Sequence, residues 1–155
     1  MRALRWLDEH LEALILIVLS ILTVIVIFLQ VFMRYVMGSS LLWSEELARY
    51  AFIWMVYIGL SYGVKKDRHL KVDAFALLFN EKGKLVLKIL SNLAFLAFSL
   101  ILAYYSYQIV GKISRLSPSM NIPMQWVYAA PMIGLLLTSI RIIQKIRSDI
   151  IIFKS

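Results

Sequence analysis

Four stretches without a charged residue divide this chain: residues 13–33, 50–64, 89–111 and 116–140. A helix needs about 20 mostly apolar residues to cross the hydrocarbon layer of a bilayer. The first, third and fourth stretches reach that length unaided. The second has 15 residues, which at about 1.5 Å per residue covers only about 22 Å. It spans if its helix starts near Ser44 and takes Glu45, Glu46 and Arg49 into the outer interface. With 61% hydrophobic residues and a mean hydropathy of +0.79, the composition lies far from that of a soluble domain. The expected fold class is an all-α integral membrane protein with four transmembrane helices. It forms one four-helix membrane domain over residues 1–155, with spans at about 11–35, 45–64, 85–112 and 123–146.

The amino-terminal segment reads as a retained first helix. Asp8, Glu9 and Glu12 accompany Arg2 and Arg5, the apolar run is long, and no small-x-small cleavage site follows. Cysteine is absent, which removes disulfides and thiolate metal sites. Lys and Arg then set the orientation. Thirteen of the 17 fall on the amino-terminal segment, the loop between spans two and three, and the carboxy-terminal tail. The positive-inside rule therefore places both termini and that loop in the cytoplasm. The net charge of +8 is accounted for by this topology and by anionic lipid headgroups as partners, not nucleic acid.

Gly38-Ser39-Ser40 breaks the first helix, and Ser44 suits the N-cap of the second, with Glu45 and Glu46 favoured by the helix dipole. In the cytoplasmic loop, Val72, Phe75, Ala76 and Phe79 recur at helical spacing among lysines, which predicts a short interfacial amphipathic helix over about 72–80. Asn80-Glu81-Lys82-Gly83 ends it. Pro123 fits the first turn of the fourth helix, and Pro131 predicts a kink within it.

Chemistry concentrates at the outer end of the second span. Glu45 and Arg49 are spaced i, i+4 with the acid first, the better orientation for a helix pair. Trp43, Leu47, Tyr50, Trp54 and Tyr57 recur at 3.5-residue spacing as one seam, serving either packing within the chain or a partner subunit. Gly59 and Gly63 have the GxxxG spacing that lets a neighbouring backbone approach, and packing within the chain is the expected use. His69 and Asp73 are also i, i+4, and a local hydrogen bond or cap is expected there, since a metal site needs more ligands. Gln30, Asn92 and Gln108 are expected to bond between helices. No ionisable residue lies near the centre of any span, which argues against a proton relay or ion site of this chain's own. There is no nucleotide loop, HExxH, or Ser/His/Asp or Cys/His set, so an enzyme is not expected: catalytic, cofactor-binding and metal residues, none.

These residues carry a resemblance. Gln30-Val31-Phe32-Met33-Arg34-Tyr35, then Trp43-Ser44-Glu45-Glu46-Leu47-Ala48-Arg49-Tyr50 with Trp54 and Gly59, then His69-Leu70-Lys71-Val72-Asp73 resemble the small membrane subunit of TRAP (tripartite ATP-independent periplasmic) transporters. Ile122-Pro123-Met124-Gln125-Trp126-Val127-Tyr128 and Pro131-Met132-Ile133-Gly134 look like that family's entry to the fourth helix, although Gln125 stands where an aromatic is common. The resemblance runs from Arg5 to about Arg141. It implies a multi-pass protein of the bacterial inner membrane, acting as a scaffold for a large transport subunit that carries the solute and sodium sites. It further implies a periplasmic substrate-binding protein and an organic acid cargo, a dicarboxylate or sialic acid.

On that basis the expected subunit interface is Trp43, Glu45, Glu46, Arg49, Tyr50, Trp54, Gly59 and Gly63. Arg34, Lys112 and Arg115 are expected to help receive the binding protein. The alternative is a self-contained small four-helix exporter, which usually needs a membrane-embedded acid that this chain lacks.

Overall fold

The computed structural model describes residues 2–66 and 81–154. It contains α1 (Arg2–Tyr35), α2 (Leu42–Lys65), α3 (Glu81–Lys112) and α4 (Gln125–Lys154). Each holds a segment long and apolar enough to cross a membrane: His10–Tyr35, Leu42–Lys65, Val86–Lys112 and Gln125–Ile151. Among the described residues the one β feature is an isolated bridge between Leu116 and Pro123. The all-α, four-span architecture is therefore present. The expected interfacial helix over 72–80 and the His69–Asp73 pair lie outside the described residues.

Two expected helix starts are displaced. α2 begins at Leu42, and its cap is Leu41 in an extended conformation (φ −90°, ψ 96°) with no side-chain cap bond. Ser44 lies inside the first turn, where its hydroxyl donates back to the Leu41 carbonyl at 2.6 Å. The early start follows from Gly38, whose φ of +66° turns the chain sharply, with the Ser39 N–H wrapping back to the Met33 carbonyl at 3.0 Å. Once turned, the chain gains by making helical hydrogen bonds at once, because backbone groups near hydrocarbon find few other partners. Pro123 does not begin α4. It is held in the bridge to Leu116, and the helix starts two residues later at Gln125 with Pro131 inside it.

Neighbouring helices follow the order α1, α2, α4, α3. Among the described residues, α1 packs its backbone against α2 alone, and α3 against α4 alone. The outer helices are correspondingly bare: Glu12 and Val26 are the residues of α1 buried among those described, while Ile17, Val18, Val24 and Phe28 are exposed. Glycines mark two of the approaches between helices. Leu16 of α1 reaches Gly59 of α2, lying 4.0 Å from where a Cβ would stand. Gly134 of α4 passes far closer to α2, since an added Cβ would fall 2.6 Å from the Tyr57 Cβ and 2.7 Å from its carbonyl oxygen.

Exclusion of water gives membrane helices little orientation, because lipid tails are as apolar as leucine. Polar ties supply it here. At the end that carries both termini, the Glu12 carboxylate is 1% exposed. It accepts from Lys65 Nζ of α2 at 2.7 Å, Arg141 Nε of α4 at 2.6 Å and the Ser61 hydroxyl at 3.1 Å. Further along α4, Asp149 accepts from Lys88 Nζ of α3 at 2.7 Å. These pairs connect all four helices at one end. Midway, the Ser99 and Ser139 hydroxyls bond at 2.8 Å between α3 and α4. Asn92, expected to bond across helices, instead has a buried side-chain nitrogen without a partner.

Removing one partner of a buried ion pair costs about 3–5 kcal/mol, against under about 1 kcal/mol for an exposed one. Glu12→Ala is accordingly expected to lower the thermal unfolding midpoint in detergent by far more than Glu45→Ala, followed by tryptophan fluorescence. Equal, small shifts would contradict a structural role for Glu12.

Candidate functional site

The opening turns of α2 place alternate acids on different sides. Glu45, Arg49, Phe52 and Val56 follow one another at i, i+4, i+7 and i+11 and are all exposed. Glu45 and Arg49 form the expected pair at 3.0 Å, with side chains 66% and 63% exposed. Glu46 is one residue further, about 100° around the helix, and it turns inward with Tyr50, one helical turn on. Its carboxylate is buried. One oxygen accepts the Tyr50 hydroxyl, and the other accepts the backbone N–H groups of Ser119 and Met120, both at 3.0 Å.

Those amides belong to the connection between α3 and α4, which folds tightly on itself. The buried Ser117 donates its N–H to the Ile122 carbonyl at 2.9 Å, and its own carbonyl accepts from Asn121 at 3.2 Å. Asn121 takes a left-handed conformation, φ 53°, as asparagine tolerates. The Met124 N–H reaches the Arg115 carbonyl at 3.1 Å, and the Gln125 side-chain amide donates to the Ile113 carbonyl at 2.8 Å. Two successive N–H groups thus form an anion-binding concavity of the kind seen in backbone nests, and Glu46 fills it. The acid clamps the loop to α2.

Below the loop lies a cleft of about 520 Å³ between α2 and α4, lined by Arg49, Ile53, Tyr57, Arg115, Tyr128 and Pro131 among others. The close pass of Gly134 at Tyr57 marks its deep end. At the rim, the Arg115 guanidinium donates to the Tyr128 hydroxyl at 3.0 Å.

The remaining expected site residues fall as follows. Trp43 is 40% exposed, Trp54 is half-buried and Tyr50 buried, so the aromatic seam runs along the inward side of α2. Gly59 and Gly63 are half-buried, the former against Leu16. Arg34, Lys112 and Arg115 are exposed and share the end of the molecule that carries Glu45, with Arg34 6.0 Å from the Tyr35 ring. The bare stripe of Phe52 and Val56, the loop clamp and the cleft are not legible in the sequence. The shared face of Glu46 and Tyr50 was available from their i, i+4 spacing. Their loop partners have no sequence signal. Among the described residues, no three His, Asp or Glu side chains converge as a metal ion requires.

The pattern of the tripartite ATP-independent periplasmic transporters, DctQ component, matches residues 23–151. The chain belongs to the DctQ family. A TRAP transporter small permease protein of Haemophilus influenzae is 27% identical over 99% of this chain and 97% of its own length. The C4-dicarboxylate TRAP transporter small permease protein DctQ of Vibrio cholerae is 31% identical over 64% of this chain and 41% of its own. The isethionate TRAP transporter permease protein DctMQ of Oleidesulfovibrio alaskensis is 22% identical over 95% of this chain, a match confined to 25% of that longer protein. This DctQ chain is a small permease subunit of a TRAP transporter, a multi-pass protein of the bacterial inner membrane and not an enzyme. TRAP small permeases pair with large permease subunits.

Hydrogen bonds to a charged carboxylate contribute about 1.5–3 kcal/mol each. Glu46→Ala is expected to speed amide hydrogen exchange at Ser119 and Met120 by about tenfold or more, with Glu46→Gln intermediate because it keeps an acceptor oxygen. Unchanged exchange in the alanine variant would contradict the clamp.

Proposed function

We propose that this chain is the static frame of a sodium-driven secondary transporter for an organic acid of the dicarboxylate or sialic-acid type. It braces the large subunit, which carries the solute and sodium sites, and a periplasmic substrate-binding protein delivers the cargo. The end with both termini faces the cytoplasm and the end with Glu45 and Arg49 faces the periplasm, as the distribution of Lys and Arg favours.

The observation that carries this reading is where the polar chemistry is spent. Glu12 and Glu46 are buried and bonded to helices and loop of their own chain, and the spans offer no charge at mid-membrane. A transporting unit needs groups that bind and release a solute inside the membrane. A frame needs fixed internal ties and broad apolar faces, which α1, α3 and the Phe52–Val56 stripe of α2 supply. The buried acids at the span ends, Glu12 and Glu46, are held by internal partners and do not serve a self-contained exporter as a coupling acid, and DctQ membership argues for a subunit.

The partner-facing group on this reading is Glu45, Arg49, Phe52 and Val56 on the exposed side of α2, while Trp43 and Trp54 belong to the inward seam and Glu46 and Tyr50 act through the loop they position. Loss of a large aromatic anchor at an interface costs about 2 kcal/mol or more. Phe52→Ala combined with Arg49→Ala is expected to reduce co-purification of the large subunit and solute uptake together. Charge reversal at Arg34 and Lys112 is expected to lower uptake while leaving the membrane complex intact. Full complex yield and uptake in every variant would refute the proposal.

A further inference from the structure

The cleft between α2 and α4 has a build that its role as a packing seam does not explain. The two helices touch at Gly134 and Tyr57 and are bridged again at the outer end by Glu46 and the loop. Between these contacts they part, leaving about 520 Å³, within the range of clefts that hold a small ligand. The groove is elongated along the membrane normal, since Arg49 at its rim and Tyr57 at its depth are eight residues apart on one helix, a rise of about 12 Å. Its floor is apolar: Ile53, Met124, Val127 and Pro131. Pro131 has no N–H for the Val127 carbonyl one turn before it, which loosens α4 along the groove.

The rim is cationic in a specific way. Glu46 is consumed by the loop amides and Tyr50, and Glu45 is paired with Arg49. Arg115 is bonded to the neutral Tyr128 hydroxyl, and among the described residues no carboxylate pairs with it. A cation without a counter-charge thus stands over an apolar groove that descends from the outer interface. Guanidinium groups match phosphate oxygens in geometry and charge.

We propose that this groove is a phospholipid site of the outer leaflet, with the lipid phosphate on Arg115 and Arg49 and one acyl chain lying down the channel toward Tyr57. The bound lipid fills the gap between α2 and α4 that side chains leave open. The site shares Arg49 with the proposed partner-facing group, and its readout is the retained lipid, not assembly.

The test is native mass spectrometry of the full chain extracted in mild detergent from its own membrane. One retained phospholipid per chain is expected. Arg115→Gln is expected to lower its occupancy, and Arg49→Gln with Arg115→Gln to weaken retention about tenfold. Ile53→Trp, which fills the groove, is expected to expel the lipid without changing the charges, and Arg34→Gln, an exposed cation away from the groove, to retain it. A photo-crosslinking side chain at position 53 is expected to capture lipid. Absence of bound lipid, equal retention in all variants, or capture of a protein at position 53 would each overturn the site, the last by showing that a partner's side chain fills the groove. None of these readouts uses complex yield or uptake, so failure here is separable from failure of the scaffold reading.

Discussion

One carboxylate organises this molecule. Glu12 lies at the boundary of the first span, almost wholly buried, and receives Lys65, Arg141 and Ser61 from two other helices. Helices in lipid are not driven together by exclusion of water, so shape and polar bonds must choose between rotations and registers of similar packing energy. That choice matters most for α1, whose backbone has one neighbour. A rotation of α1 by half a turn would strand an acid against hydrocarbon and remove the shared partner of two cations. The pair costs desolvation, and it specifies an arrangement in return.

Glu46 does at the other end what Glu12 does at the first, with backbone amides in place of cations. It ties the α3–α4 connection to α2, so the first and last helices of the row are both referred to α2. The contrast with Glu45 is instructive. The two acids are adjacent in sequence, yet one pairs with Arg49 in the open and the other is buried. Only the inward one can fix structure, because exposed ion pairs contribute little. Rigid ends and bare apolar flanks are what the proposed bracing role requires.

The four spans were legible because charge-free length is a direct physical requirement of a bilayer. The Glu45–Arg49 pair was legible because it is local to one helix turn. The Glu12 cluster was only half hidden: Glu12, Lys65 and Arg141 are the very charges that end three of the apolar runs on one side. What sequence lacks is the neighbour order that brings them together. α2 starts before the position a cap at Ser44 predicts, because the turn at Gly38 comes first. The close pass at Gly134 carries no sequence signal because a lone glycine has no partner in a spacing motif, whereas Gly59, which does, meets a looser contact. The loop clamp depends on backbone amides, which every residue carries and no sequence distinguishes.

As a static frame, this subunit would keep one fixed shape while transport proceeds around it. The chain has no cysteine, so spin labels can be placed at Ile21 of α1 and Ile101 of α3, both exposed, in the assembled complex. Pulsed electron spin resonance should give one narrow distance distribution, unchanged when sodium, solute and binding protein are added. Two populations, or a shift of the distribution on adding them, would contradict a static frame.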